Sequence, residues 1–373
     1  MSAPRPALDA LLRPELAAAR AYQPEPGPFV VRLDANEAPA LWGPRARERF
    51  GAIARGAELN RYPDPAAAAL KRSLAAYAGG APDEYLVGAG SDEAIVILLS
   101  SLGRARAPGA APRVVTVAPT FVMYRISAFV RGLEVLEVPL DERWRAPAGP
   151  LVEAIGRADP HVVFLATPNN PTGRVVEPDT MRAVVEGAPN ALVVIDQAYG
   201  PYADERFDDW LGRYPNVALL GTLSKVGLAA LRVGWLRARP ELVRELDKMR
   251  SPYNLPALSQ ELAAAALDEF SDELGRIVGE VRRERAALAR GLEGFGFEVT
   301  PSQSNFLWAR APVPADALCS KLATCGVALR HFSSQAGRLR EYVRVTVGTQ
   351  REHALLFQAL RQVLPSAEGA PPT

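Results

Sequence analysis

TLSKVGLAALRVGW, residues 222–235, is the stretch on which the reading of this chain turns. A lysine, Lys225, stands among small and apolar residues between two strand-like runs, Val217–Leu220 and Val233–Leu236. Thr222 and Ser224 precede it, and Arg232 follows seven residues later. Only four lysines occur in the sequence, and Lys71, Lys248 and Lys321 all sit in charged helical contexts. A primary amine in an apolar setting has a lowered pKa and can form a Schiff base with a carbonyl. The commoner fate of a lysine is to snorkel at the surface. The flanking strands, the two hydroxyls and Arg232 argue against that here.

Working outward, short apolar runs alternate with helical patterns from about 86 to 237. The expected strands are Val114–Val117, Val162–Ala166, Leu192–Ile195, Val217–Leu220 and Val233–Leu236. Their near-continuous Val, Leu and Ile content marks strands buried on both faces of a mostly parallel sheet. Helical patterns such as SDEAIVILLSSLG (91–103) and PDTMRAVVEGA (178–188) lie between them, so the fold class is α/β. The expected organisation is an N-terminal arm (1–35) with a short helix, a large domain (36–245), a smaller α+β C-terminal domain (246–365) and a flexible tail (366–373). Two long helical stretches, 240–250 and 257–293, open the smaller domain, whose sheet should be antiparallel.

The 373 residues are 48% hydrophobic and 23% charged, enough for a full core and two domains. A formal net charge of +1 gives no electrostatic reason to expect nucleic acid or a membrane surface as partner. EVRRERAALARGLEGFGFE (280–298) intersperses both signs, as a solvated helix face does. Cys319 and Cys325 offer neither metal-ligand spacing nor a disulfide framework. No signal segment or eighteen-residue apolar run appears, which makes a cytoplasmic protein without bound metal the expectation.

Several motifs carry chemistry. GAGSDEAI (88–95) puts small residues at a helix start, where free backbone N–H groups suit a phosphate; Ser91 or Asp92 as a plain N-cap is the competing reading. TPNNPTG (167–173) makes a sharp turn at the C-terminal end of a strand, where open α/β sheets place ligands. Asn169 and Asn170 are either turn residues or ligand contacts. ALVVIDQAYGPY (191–202) ends an apolar strand in Asp196, an acid that needs a cation or donors, with Tyr199 three residues on.

Taken together, GSDE, PTFVMY, TPNNPTG, VIDQAY, TLSK…LR, NFLW and VRVTVGT resemble a fold type I aminotransferase dependent on pyridoxal 5′-phosphate (PLP). LDANEAP (33–39) and NRYPDP (60–65) point to the histidinol-phosphate aminotransferase family. The resemblance runs from about Tyr22 to Leu364, and its motif order is specific for fold and cofactor, less so for substrate.

The resemblance implies that Lys225 holds PLP covalently and, once substrate displaces it, moves the proton. None of the three histidines, His161, His331 and His353, lies in a central motif, so the lysine must fill both roles. Asp196 would pair with the ring nitrogen, Asn170 and Tyr199 would bond the ring's phenolic oxygen, and Phe121 would stack on the ring, where the family often has Tyr. The phosphate would rest on Gly90, Ser91 and Asp92, with Thr222, Ser224 and Arg232 completing the cradle. Tyr62 would reach it from the other subunit of a homodimer. Arg344, Arg330, Asn36 and Tyr22 would meet the substrate, with Tyr253 a further lining candidate. The gap from Lys225 to Arg232 is one residue shorter than the family's usual one, which should tighten the intervening loop.

The expected reaction is transfer of an amino group between L-histidinol phosphate and 2-oxoglutarate in histidine biosynthesis. An aromatic or broad-specificity aminotransferase shares every cofactor motif, and a lyase resembling threonine-phosphate decarboxylase shares the fold. A non-catalytic regulator is disfavoured by the presence of Lys225 and Asp196. A nicotinamide-dependent enzyme is disfavoured by the lack of GxGxxG after a strand.

Overall fold

The computed structural model describes residues 27–102, 106, 110–335 and 337–364. Tyr22, the expected arm helix and the tail lie outside the described residues. Among the described residues the strands are, in chain order, β1 (Val31–Leu33), β2 (Tyr85–Ala89), β3 (Arg113–Ala118), β4 (Glu134–Pro139), β5 (Val162–Ala166) and β6 (Leu192–Asp196). They continue with β7 (Val217–Thr222), β8 (Val233–Arg237), β9 (Glu298–Thr300), β10 (Phe306–Arg310), β11 (Val327–His331) and β12 (Tyr342–Thr346).

Seven strands form the larger sheet in the order β2-β8-β7-β6-β5-β3-β4. Strand β8 runs antiparallel to both neighbours and the remaining pairs are parallel. The five strands expected from apolar runs are all present, and β5 and β7 are buried along their whole length. Burial on both faces explains the lack of polar alternation in their sequences. Edge strand β4, EVLEVP, is mostly exposed, and its charged residues suit an edge open to water.

The register fixes where chemistry can occur. Ala166 pairs with Asp196, and Thr222 with Gly234, so TPNNPTG, VIDQAY and the Lys225 turn leave the sheet at one edge. The helix Ser91–Ser101 starts at the same edge, directly after β2.

The smaller sheet has the order β1-β11-β12-β10-β9. It is antiparallel except at β1, which runs parallel to β11 with Val31 opposite Val327. Strand β1 comes from the sequence expected to be arm, so the chain enters the smaller sheet before it builds the larger one. The expected helix 257–293 is two helices, Ala257–Glu269 and Ser271–Gly294, broken at Phe270, whose ψ of 29° is not helical. The phenyl ring is buried there and packs edge-on against Phe50. Burying it in this position ends the first helix. The helix Ala257–Glu269 packs on the helices Pro44–Gly56 and Ala68–Ala78.

His353, on the helix Gln350–Val363, is buried beneath this sheet. Its Nε2 accepts from the Gly348 N–H at 3.0 Å, so the Nδ1 hydrogen faces Glu284 Oε2 at 3.0 Å. Protonation would set an Nε2–H against the Gly348 N–H. Burial, outweighing the attraction of Glu284, holds the imidazole below its ordinary value of 6.5. The unfolded chain therefore binds this proton more readily, and stability should rise with pH through the window just below 6.5 and then level off. Denaturation midpoints of wild type and His353→Gln, followed across that window, should show the slope in wild type alone.

Candidate active site

Lys225 sits in the turn from β7 to β8, partly buried, with Nζ 5.8 Å from the centre of the Tyr199 ring. Tyr202 donates its hydroxyl hydrogen bond to the Lys225 carbonyl and pins the backbone at that residue. Tyr199 is buried, with its ring edge-on to Phe306 at 5.0 Å. Its Oη accepts from Asn36 Nδ2 at 2.9 Å, which directs the Tyr199 hydroxyl proton elsewhere. Asn36 lies in the left-handed region (φ 55°). Its N–H donates to Thr346 Oγ1 at 2.9 Å, and its carbonyl accepts from Asn305 Nδ2 at 2.9 Å. Asn36 therefore links Tyr199, beside Lys225, to β12 and to the start of β10.

Asp196 ends β6 at 4% exposure. Oδ1 accepts from the Ala198 N–H at 2.9 Å and Oδ2 from the Tyr124 hydroxyl at 2.5 Å. No ion pair reaches it among the described residues. Burial raises its carboxyl above the ordinary range, opposed by those two donors and by Lys225. Tyr124 itself is fully buried, and burial, then Asp196, pushes its phenol well above the usual value, so it is a donor. Phe121 stands at the head of the helix Val122–Phe129, edge-on to Tyr124 at 5.6 Å.

A third group surrounds the start of the helix Ser91–Ser101. Gly90, with φ 81°, is the residue before the helix, and no side chain caps it. The competing reading of Ser91 or Asp92 as a cap is therefore not what the chain does. The Ala89 N–H is taken by Glu93 Oε2 and the Gly90 N–H by the Arg232 carbonyl at 2.7 Å. The next helix-start N–H groups have no intrahelical acceptor and face outward with the positive end of the helix. Arg232, also left-handed (φ 52°), sends Nη1 to Ser224 Oγ at 3.2 Å and Nη2 to Asp92 Oδ2 at 3.4 Å. Thr222 Oγ1 lies 3.0 Å from both Ser224 Oγ and the Val233 carbonyl.

Glycine makes this concavity possible. A Cβ on Gly234 would lie 2.1 Å from the Ser91 nitrogen, and one on Gly90 would lie 2.6 Å from Arg232 Nη2. Strand β8 and the helix start touch through bare backbone.

The two asparagines of TPNNPTG divide the work. Asn169 is buried and holds the turn, accepting from Thr120 Oγ1 at 2.7 Å and donating to the Pro119 carbonyl at 3.0 Å. Asn170 is half-buried, and its Oδ1 accepts from Arg344 Nη1 at 2.8 Å. Arg344 Nη2 donates to the Asp34 carbonyl at 2.7 Å, and its guanidinium carbon lies 5.6 Å from the centre of the Phe306 ring. Arg330 is its register partner on β11. Tyr62 is 80% exposed and stacks on Tyr253 at 4.5 Å, on the outer surface. Sequence reasoning missed Tyr124. The signal was present in PTFVMY, since residues three apart on a helix share a face.

The model of the family "Aminotransferase class I and II" matches residues 29–360. The chain belongs to that family. Relatives include histidinol-phosphate aminotransferase 2 of Nitrosococcus oceani, 38% identical over 94% of this chain and 96% of its own length. Another is the histidinol-phosphate aminotransferase of Chromobacterium violaceum, 36% identical over 94% and 97%. Among solved structures, the histidinol-phosphate aminotransferase of Sinorhizobium meliloti in complex with pyridoxal-5′-phosphate matches the fold with TM-score 0.83 and 24% identity over 94% and 97% of the chains. The protein is thus a PLP-dependent aminotransferase of the α/β fold expected from its sequence.

The aminotransferase's residues fit that cofactor. The buried Asp196 accepts from two neutral donors, with no ion pair among the described residues, and suits a cationic ring nitrogen, and the glycine-lined helix start suits a phosphate. Gly234→Ala should force the helix start and β8 apart, at an overpacking cost of about 1–3 kcal/mol. Titration of the apo-protein with PLP should then give affinity about 10–100-fold weaker. Unchanged affinity would place the phosphate elsewhere.

Proposed function

We propose that this aminotransferase transfers an amino group between L-histidinol phosphate and 2-oxoglutarate, with PLP bound covalently to Lys225. The observation that carries the substrate assignment is the identity of the relatives. Sequences named histidinol-phosphate aminotransferase match at 33–38% identity along at least 94% of this chain. The paired Arg330 and Arg344 on adjacent strands add support, because both proposed substrates end in an anion.

When bound, PLP supplies an electron sink for the negative charge left at the substrate carbon. Asp196 keeps the ring nitrogen protonated, and the Tyr199 hydroxyl proton, directed away from Asn36, bonds the phenolic oxygen together with Asn170. Phe121 covers one face of the ring. Gly90, Ser91, Asp92, Thr222, Ser224 and Arg232 hold the phosphate. Once the substrate's amino group has displaced it from the cofactor, Lys225 Nζ would take the proton from the substrate carbon and hand it on to the cofactor, since no histidine stands in the central motifs. Arg344 anchors the anionic end with its two-pronged guanidinium, Arg330 assists, and Asn36 keeps Tyr199 in place. The working unit is a homodimer in a cytoplasmic histidine-biosynthetic role, with Tyr62 of one protomer completing the phosphate site of its partner. The exposed Tyr62–Tyr253 stack and Leu59, 84% exposed, suit a surface covered by a second copy.

Purified protein should carry a visible absorption band that Lys225→Ala abolishes, and histidinol phosphate should outpace aromatic amino acids as amino donor to 2-oxoglutarate. Faster turnover of an aromatic donor, or CO2 release from a phosphorylated amino acid, would defeat the substrate assignment. Sedimentation should give roughly twice the 40.1 kDa chain mass. Tyr62→Ala should weaken PLP binding; a monomer with full affinity would rule out the shared site.

A further inference from the structure

We infer that Tyr124 is a positioning residue for the cofactor: its hydroxyl holds the Asp196 carboxylate ionised and aimed at the ring nitrogen. The inference rests on the reading that Asp196 faces that nitrogen, and it goes beyond it by naming what makes Asp196 fit for the task.

An acid at the end of an all-apolar strand tends to take up a proton, because burial penalises its charge. A protonated Asp196 would no longer pair with a cationic nitrogen. Two donors counter this, the Ala198 N–H on Oδ1 and the Tyr124 hydroxyl on Oδ2. The first belongs to the backbone two residues on. The second comes from another helix, and at 2.5 Å it is the shorter of the two. Together they engage both oxygens, which fixes the carboxylate plane and leaves one lone pair on each for an incoming N–H.

The Tyr124 ring is itself held rigidly. It is stacked on Phe164 with centroids 4.6 Å apart and planes 6° from parallel, while Phe121 meets its edge. Phe164 lies in the middle of β5, so the hydroxyl is located by the sheet. The phenol is fully buried and therefore has no exchange with water to weaken the bond.

Tyr124→Phe separates the hydroxyl from the packing, because Phe retains both ring contacts. A hydrogen bond to a charged group is worth enough that PLP affinity of the apo-protein should fall about tenfold or more. In turnover, kcat should fall while the KM for the oxo acid stays within about twofold, as expected for loss of a contact remote from the substrate's anion. The deciding measurement is a double-mutant cycle on PLP affinity with Asp196→Asn. If Tyr124 acts through Asp196, Tyr124→Phe should change affinity less than about twofold in the Asp196→Asn background. An equal, additive loss in both backgrounds would mark Tyr124 as packing alone and overturn the inference, as would wild-type affinity in Tyr124→Phe. A wild type that never binds PLP would overturn the cofactor reading and this inference together. A wild type that binds normally, with an additive cycle, would overturn the inference only.

Discussion

An acid placed where water cannot follow is the constraint around which this site is organised. Asp196 ends a strand whose last four residues are buried, and donors are delivered to both of its oxygens. Those donors require the parallel register that sets Ala166 beside Asp196 and the β3-to-helix connection that delivers Tyr124. Shifting the register by one residue would turn Asp196 to the other face of the sheet. The apolar strands therefore do more than bury surface, since they set the depth and direction of the acid proposed to meet the cofactor's nitrogen.

Around that acid the site is shared between the two sheets. Lys225, Asp196 and the helix start belong to the larger sheet, whereas Arg344 and Arg330 belong to the smaller one. Among the links that cross between them are Asn36 to Tyr199 and Arg344 to Asn170. Each uses a neutral side-chain amide as one partner.

Much of this was legible in the sequence, because the central strands are apolar throughout and the motifs mark their ends. VVFLA and LVVID could only be buried strands, and TPNNPTG and the Lys225 turn had to follow from them. Less legible were features set by tertiary contact. Strand β1 is three residues long and takes its partner from more than 290 residues away. The break at Phe270 has no proline or glycine to announce it, since buried packing of the ring decides it. The division of labour between Asn169 and Asn170 depends on which way each amide faces, and neighbouring identical residues carry no sign of that. The partnership of Tyr124 with Asp196 spans 72 residues and shows only once the helix is docked.

Asn36 combines two demands that are usually met by different residues. Its backbone is left-handed, a conformation open chiefly to glycine, asparagine and aspartate, and its side-chain amide is the donor that holds Tyr199. Glycine would satisfy the backbone and surrender the amide, whereas glutamine would keep an amide and strain the backbone. A redesign of the amine range that randomises the cleft lining should therefore leave this position out of the library. Chain shape and hydroxyl orientation are encoded there by a single side chain and cannot be varied independently.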